Sequence, residues 1–231
     1  GDTLAQSQVR LLPQRYAGFA PDNIRPTRSG DGIYKHWLSP TTGNTQSGWA
    51  DEYATLSTMK IVVAASRALD YYPDDPVIAR AASRIIFGVS NWHLSFQSGT
   101  DALAFTGLSG SGADTSSFSR PHHEGILFAE EAGAYGNSTA ASVANRWFTR
   151  SLWPTATFIS GRPITTGQAG AFQPAFLTHY PMILSTRFRN DTSPAGWPTQ
   201  VANLRWSSAA WTDDNGPRYY TVFSAGTSPA G

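Results

Sequence analysis

The amino-acid sequence predicts a mainly α-helical protein of paired helices, of the toroid type, with long aromatic loops and a few short strands. Two observations lead to this prediction. Apolar residues recur at helical spacing in several long segments, and the segments between them are rich in glycine, serine, threonine and aromatic residues. Helices paired around a ring, with the long loops at one end, form a groove suited to an extended substrate.

The composition is that of a globular domain, and it excludes several functional classes. Of the 231 residues, 14% are charged and 13% are aromatic, a balance that supports a sizeable core. A net charge of +1 without basic runs argues against binding to nucleic acid. No apolar stretch approaches the length of a bilayer-spanning helix, so we expect no membrane insertion.

The chain contains no cysteine, which excludes disulfides, thiolate metal sites and cysteine catalysis. A cysteine-free chain fits an exported bacterial protein, so we expect an extracellular or periplasmic location. His122 and His123 are adjacent, so their side chains point to different sides of a helix, and the spacing His-x-x-x-His does not occur. We therefore expect no metal and no cofactor.

The first part of the chain predicts a lead-in and the start of the toroid domain. Residues 1–29 form the lead-in, with helical and extended parts, and residues 30–231 form the domain, which we expect to be C-terminally incomplete. Turn-forming residues alternate with aromatic residues at the start of the domain. Residues 33–38 therefore predict a short extended segment, and residues 39–43 predict its turn.

Two helices joined by a short connection follow. The first begins with Asp51 as its N-cap, carries apolar residues at helical spacing and ends before Pro73. Asp74-Asp-Pro76 starts the second, because an aspartate cap followed by proline suits a first helical turn, and this helix extends to Val89. The pair forms a helical hairpin, the unit of helical arrays and toroids.

The rest of the chain alternates helices with long loops. Residues 97–119 predict a structured loop with room for a two-stranded element, residues 154–170 an irregular segment, and residues 219–223 an extended tail. Apolar residues at helical spacing predict four further helices, at about residues 122–135, 139–152, 182–188 and 198–211.

Glu124 is the strongest candidate for acid–base chemistry. Glutamate occurs at only four positions, and Glu124 opens an apolar helical run, where it shares a helix face with Leu127 and Phe128. Desolvation at such a position raises the pKa of a carboxyl group, as a general acid near neutral pH requires. The alternative is an ordinary first-turn acid that complements the helix dipole.

Exposed aromatic rings and paired carboxylates are compatible with carbohydrate chemistry. Most of the eight tryptophans lie at element ends or in loops, where their rings stack on sugar faces or fix the loops to the core. A glycoside hydrolase usually needs one carboxylic acid and a second carboxylate as base or nucleophile, and Glu124 and Glu52 are the candidate pair. A serine nucleophile is disfavoured because no Gly-x-Ser-x-Gly elbow occurs.

Four stretches have the order and spacing of a known family. They are Gly32-Ile-Tyr-Lys-His-Trp, Glu52-Tyr-Ala-Thr-Leu-Ser-Thr, His123-Glu-Gly-Ile-Leu, and Phe176-Leu-Thr-His-Tyr-Pro followed by Val222-Phe-Ser-Ala-Gly-Thr-Ser-Pro-Ala-Gly. Together they resemble the glycoamylase-like domain of bacterial endo-β-1,2-glucanases and related β-1,2-glucan-processing enzymes. The resemblance covers roughly residues 30–231 and implies an (α/α)6 toroid. About six or seven long helices are present, roughly half of such a ring, so a further segment or chain would complete it.

The resemblance also implies a function and a set of site residues. It implies a glycoside hydrolase acting on a β-glucan, with β-1,2-glucan favoured and Glu124 at the position of the general acid. The residues expected to bind the oligo- or polysaccharide are His36, Trp37, Trp49, Asp51, His123, His179, Tyr180 and Arg187. Whether the reaction is retaining or inverting depends on the distance between the two carboxylates.

Two alternatives remain open. Ser57 and Ser185 stand where the family has aspartates, and His123 stands where it has asparagine. A non-catalytic carbohydrate-binding protein would keep the groove without a complete catalytic set. A structural protein of a larger assembly would also fit the low charge and the many aromatic residues.

Overall fold

The computed structural model describes residues 3–45, 53–89, 103–106, 113–119, 123–148, 155–157, 161–165, 175–194 and 196–215. These residues form eight helices and two pairs of short strands, so the prediction of a mainly helical protein is confirmed. Closure of the helices into a toroid stays a prediction. Within the described ranges, no helix combines the length and the apolar character needed to cross a membrane.

The chain divides into two compact units, and each is described by itself. The first unit comprises Gly1–Ser119 and Glu131–Ala140, and the second comprises Arg120–Glu130 and Ala141–Gly231. Helices dominate both units, and each unit contains one pair of short antiparallel strands.

In the first unit, two helices pack against a third. α1 (Thr3–Ala17) and α2 (Thr55–Tyr71) both contact α3 (Pro76–Ile86). The core between them consists of buried apolar side chains, among them Met59, Val62, Val63, Ile78, Ala81, Ala82 and Ile85. The helical hairpin predicted from the aspartate–proline restart is confirmed, since α2 ends before Pro73 and α3 begins at Pro76.

Asp75 sets the start of α3 and also contacts α1. Its carboxylate accepts hydrogen bonds from the backbone N–H groups of Val77 (3.0 Å) and Ile78 (3.3 Å), as expected for an N-cap. It also accepts a hydrogen bond from Gln6 (3.2 Å) and forms an ion pair with Arg10, both on α1. Burial raises the pKa of Asp75, but the hydrogen bond from Arg10, those from the two backbone N–H groups and the Arg10 charge outweigh it and lower the pKa below the ordinary value of 3.8.

The predicted N-cap of α2 is wrong. The helix begins at Thr55, and its N-cap is Ala54, which is extended and makes no side-chain hydrogen bond. Asp51, the predicted cap, lies outside the described residues. The Ala54 N–H donates to a backbone carbonyl of the predicted extended segment (2.8 Å), and Tyr53 forms a β-bridge with Lys35. This pairing keeps the chain extended as far as residue 54, so the helix starts later than the local pattern predicts.

The turn predicted at residues 39–43 is confirmed. The extended segment predicted at residues 33–38 is confirmed at its bridged residues 34, 35 and 38, whereas the chain bends at residues 36–37. Isolated antiparallel bridges join Arg28 to Tyr34 and Leu38 to Thr45. In the turn, the Gly43 N–H donates to the Ser39 carbonyl (2.8 Å), and the Ser39 hydroxyl accepts from two further backbone N–H groups. The turn therefore closes on its own hydrogen bonds, with Leu38 bridged to Thr45 across it.

Strand pairs occur in both units. β1 (Leu103–Thr106) and β2 (Ala113–Ser119) pair antiparallel, which confirms the two-stranded element expected within residues 97–119. β3 (Thr155–Thr157) and β4 (Pro163–Thr165) pair antiparallel in the segment predicted to be irregular, so that prediction is wrong for these six positions.

The second unit is built mainly from five helices. α4 (His123–Ala134) begins in it, and α5 (Ser138–Trp147), α6 (Ala175–Leu184), α7 (Thr186–Arg189) and α8 (Trp197–Asn215) follow. α6, α7 and α8 contact one another around Phe188 and Trp197, which are fully buried with ring centroids 4.8 Å apart. The predicted helix at residues 182–188 is wrong in its bounds, since α6 runs through Pro181 and ends before Ser185, the N-cap of α7.

Candidate functional site

His36 and Trp37 form a stacked aromatic pair in the first unit. Their ring centroids are 5.4 Å apart, and the ring planes differ by 22°. The pair lies between the β-bridges of Lys35 and Leu38, and Trp37 is 48% exposed. A large ring that is half exposed, and supported from one side by a second ring, offers a flat apolar surface to a ligand.

The backbone that carries the aromatic pair is fixed by Tyr34. This residue is almost fully buried, and its N–H donates to the Thr58 hydroxyl on α2 (2.9 Å). Its own hydroxyl donates to the Tyr16 carbonyl on α1 (2.6 Å), and the two tyrosine rings meet edge to face at 5.1 Å. Burial raises the pKa of Tyr34, so its hydroxyl remains a neutral donor. The segment that carries the aromatic pair is therefore hydrogen-bonded to both α1 and α2.

Lys35 and Tyr53 add a cationic contact beside the pair. The Lys35 ammonium lies 4.0 Å from the centroid of the Tyr53 ring, a cation–π geometry, and Lys35 is 8% exposed. Tyr53 directly follows Glu52 in the sequence. Sequence reasoning missed Lys35 and Tyr53, because the bridge that joins them spans eighteen residues of chain and has no local signature.

Gly32 lets this segment approach the end of α3 closely. Its φ of 88° lies in the left-handed region that favours glycine. A Cβ atom at Gly32 would overlap the carbonyl oxygen of Gly88 and lie 2.7 Å from its carbonyl carbon and 3.0 Å from the Val89 Cα. Only a residue without a side chain fits between these two backbones.

The candidate catalytic residues are described only in part. Trp49, Asp51 and Glu52 lie outside the described residues. His123 and Glu124 are the first two residues of α4, and only their backbone is described. Residues 125–129, the run that follows Glu124, are buried, with Leu127 at 3% exposure and Phe128 fully buried. The predicted apolar setting of this helix is confirmed, and the roles of Glu52 and Glu124 stay predictions.

Arg187 links three helices of the second unit. Its Nη1 atom lies 3.0 Å from Asn145 Oδ1 on α5 and 3.5 Å from Glu130 Oε1 on α4. Its guanidinium carbon lies 4.0 Å from the centroid of the Phe148 ring. The predicted substrate-binding arginine therefore makes contacts that fix helices, which the sequence could not indicate because the partners lie about forty to sixty residues away.

The predicted site residues are thus distributed over both units. The structure brings His36 and Trp37 together in the first. His179 and Tyr180 are half-buried neighbours on α6 of the second, and Arg187 lies on α7. In the part of the chain that the structure describes, no three histidine, aspartate or glutamate side chains group in a way that could hold a metal ion.

Comparison with protein-family models, with curated proteins and with solved structures gave no match. The resemblance to the glycoamylase-like family therefore depends on the four sequence stretches alone and stays a prediction.

Proposed function

We propose that the protein acts on a carbohydrate chain, as a glycoside hydrolase of the β-glucan type with Glu124 as general acid and Glu52 as the second carboxylate. The observation that supports this best is the exposed aromatic pair of His36 and Trp37. Its supporting segment is bridged to Tyr53, the residue that follows Glu52. An exposed aromatic surface is suited to stacking on a sugar ring, and the two carboxylates of the proposal are those that glycoside hydrolysis requires.

In this proposal Glu124 protonates the oxygen of the glycosidic bond as the bond breaks. Two opposing effects act on a carboxyl group at the start of α4. The helix dipole favours the ionised form of such a group, whereas burial disfavours it. An acid must keep its proton until the substrate is bound, so the proposal requires the effect of burial to dominate. In the same step Glu52 either activates the attacking water or attacks the anomeric carbon itself. After a direct attack, water releases the sugar from Glu52, and the ionised Glu124 takes up the proton of that water.

A non-catalytic carbohydrate-binding protein is the second candidate. The observation that favours it is the setting of Ser185, which stands where the resembled family has an aspartate. Ser185 is 7% exposed and serves as the N-cap of α7, so this position contributes to helix packing and supplies no carboxylate. A protein of this second kind would bind the same oligosaccharides and leave them intact.

The variant Glu124→Gln separates the two candidates. With β-1,2-gluco-oligosaccharides as substrate and reducing ends as the readout, we expect turnover to fall by about 10²–10⁴-fold, while calorimetric affinity stays unchanged. Glu131→Gln is the matched control, because Glu131 is on the same helix and its carboxylate hydrogen-bonds to Ser66, which is not one of the predicted site residues. Turnover that survives in Glu124→Gln contradicts the assignment of the acid. Binding without product from the parent protein supports the second candidate.

Trp37→Ala tests the aromatic platform itself. Loss of the stacking surface should weaken oligosaccharide affinity by about 0.5–1.5 kcal/mol, or roughly two- to tenfold. Trp206→Ala is the control, since Trp206 on α8 is 54% exposed and packs under the Arg162 guanidinium in the second unit. Equal affinities of the parent and Trp37→Ala would show that this pair is not the binding surface.

A further inference from the structure

A groove of about 520 Å³ lies between α1 and α2 in the first unit, with α3 beneath it. The α1 wall consists of residues that recur at helical spacing, Val9, Leu12, Pro13 and Tyr16. Ile85 of α3 contributes to the floor. This volume is within the range of about 300–1,000 Å³ that is typical of small-molecule sites.

Small side chains on α2 keep the groove open. Ala64 and Ala68 occupy the middle of its wall, while Ile61 and Tyr71 stand towards its two ends. Leu12 across the groove is 55% exposed, and Tyr71 is 83% exposed. Apolar side chains are thus presented to solvent on both sides of a concave surface, which is the arrangement of a site for an apolar ligand.

Among the described residues that line the groove, the only charged ones are cations. Lys60 and Arg67 both lie on α2, seven residues or roughly 10 Å apart along the helix axis. The Arg67 guanidinium also pairs with Asp70 (3.0 Å), but both side chains are more than half exposed, and such pairs exchange partners at little cost. An apolar channel with one cation at an end of the α2 wall and a second one in its middle favours a ligand whose apolar body ends in an anion.

We propose that this groove binds an amphipathic organic anion, with its apolar chain along Ala64 and Ala68 and its carboxylate at Lys60 or Arg67. The ligand class differs from the carbohydrate of the proposed function, because the groove surface is almost wholly apolar and provides few partners for sugar hydroxyl groups. The two sites are therefore chemically separate and can be tested independently of each other.

The test is an NMR titration of the whole protein with decanoate and, in parallel, with decanol, both kept below aggregation. We expect decanoate to shift the backbone amide signals of α1 and α2 and to bind more tightly than decanol. Lys60→Gln and Arg67→Gln should each lower decanoate affinity by up to about fivefold and leave decanol affinity unchanged. Arg80→Gln is the matched control, because Arg80 stacks on Phe19 in the same unit and does not line the groove.

Ala64→Trp fills the groove from an exposed position and should abolish the binding of both ligands. Leu12→Ser removes apolar surface from the opposite wall at a half-exposed site and should weaken the binding of both ligands. This variant replaces Ala64→Trp in the test if Ala64→Trp does not fold. The proposal is overturned if decanoate shifts no signals, or if neither cation variant changes its affinity. It is also overturned if the parent is a dimer that Ala64→Trp dissociates, since a second copy would then occupy the groove.

Discussion

Replacing Gly32 by alanine tests whether the segment that carries the aromatic pair is fixed by close packing on the end of α3. At Gly32 the chain has a φ of 88°, and an added Cβ would overlap the Gly88 carbonyl. The atoms it would meet all belong to backbone. No side-chain rotation can therefore relieve the overlap, and one of the two chain segments has to move.

The expected loss of stability follows from three contributions. An alanine forced to a positive φ costs about 1–3 kcal/mol, and overlap with rigid surroundings costs about 1–3 kcal/mol more. Alanine has less conformational freedom than glycine in the unfolded chain, which offsets about 0.4–1 kcal/mol of this loss. The net destabilisation of Gly32→Ala is therefore about 3 kcal/mol.

Urea unfolding followed by circular dichroism measures this difference. With a slope of about 2 kcal/mol per molar urea, the midpoint should fall by about 1.5 M. Gly30→Ala is the control, because a Cβ at Gly30 meets no atom within 4 Å and its φ is not positive. That variant should unfold within about 1 kcal/mol of the parent. If both variants unfold alike, the close approach of Gly32 to Gly88 does not exist in solution.

Three further predictions concern pH and packing. Burial, the largest effect, raises the pKa of Glu131 above its ordinary value of 4.5. The folded state therefore keeps a proton that the unfolded state has lost, and stability falls as the pH rises from 4.5 through the folded pKa. Glu131→Gln should be more stable than the parent above that range and should lose this advantage below pH 4.5, as measured by thermal unfolding at several pH values. Asp75 behaves in the opposite sense, because its pKa in the folded state is lowered below 3.8. The stability that its carboxylate contributes is therefore present above pH 3.8 and is lost as the pH falls through the folded pKa. The stability difference between the parent and Asp75→Asn should accordingly shrink on acidification, and a constant difference would contradict the carboxylate's role. Phe188→Ala should cost about 3–5 kcal/mol in urea unfolding, since the ring is fully buried between Phe148 and Trp197. Ile183→Ala, at a residue that is 65% exposed, should remain within about 0.5 kcal/mol of the parent.

The elements that the sequence predicts well are those whose signals are local. The start of α3 is an example, because the Asp75 side chain caps the two N–H groups that follow it and a proline occupies the first turn. The turn at residues 39–43 is another, because the hydrogen bonds within it join residues no more than four apart. In both cases the hydrogen bonds that determine the local structure join residues close together in the sequence.

The elements that it predicts poorly depend on distant partners. The start of α2 is delayed by pairing with residues that lie about twenty positions earlier. The strands β3 and β4 contain three residues each, too few for a period-two pattern to emerge. α6 continues through Pro181, where a proline alone suggests a boundary, and tertiary packing overrides that local preference.

The same distinction applies to the candidate site. His36 and Trp37 are adjacent in sequence, so their proximity could be expected, although their stacking and the exposure of Trp37 could not. The contacts of Arg187 with Asn145 and Glu130 are invisible to any local pattern. The groove between α1 and α2 is not predicted, because the sequence analysis assigns residues 1–29 to a lead-in, although α1 carries an apolar stripe at helical spacing.

The hydrogen bonds between α1 and Asp75 also bear on the order in which the first unit folds. Gln6 and Arg10 are separated from Asp75 by 69 and 65 residues, and α1 packs on α3. Closing so long a stretch of chain is entropically costly and slow, so we expect the α2–α3 hairpin to form first and α1 to dock afterwards. During synthesis α1 therefore leaves the ribosome before its packing partner α3, and it docks only after α3 has emerged. A ligand of the groove would bind only after docking, and would therefore shift the balance towards the docked form.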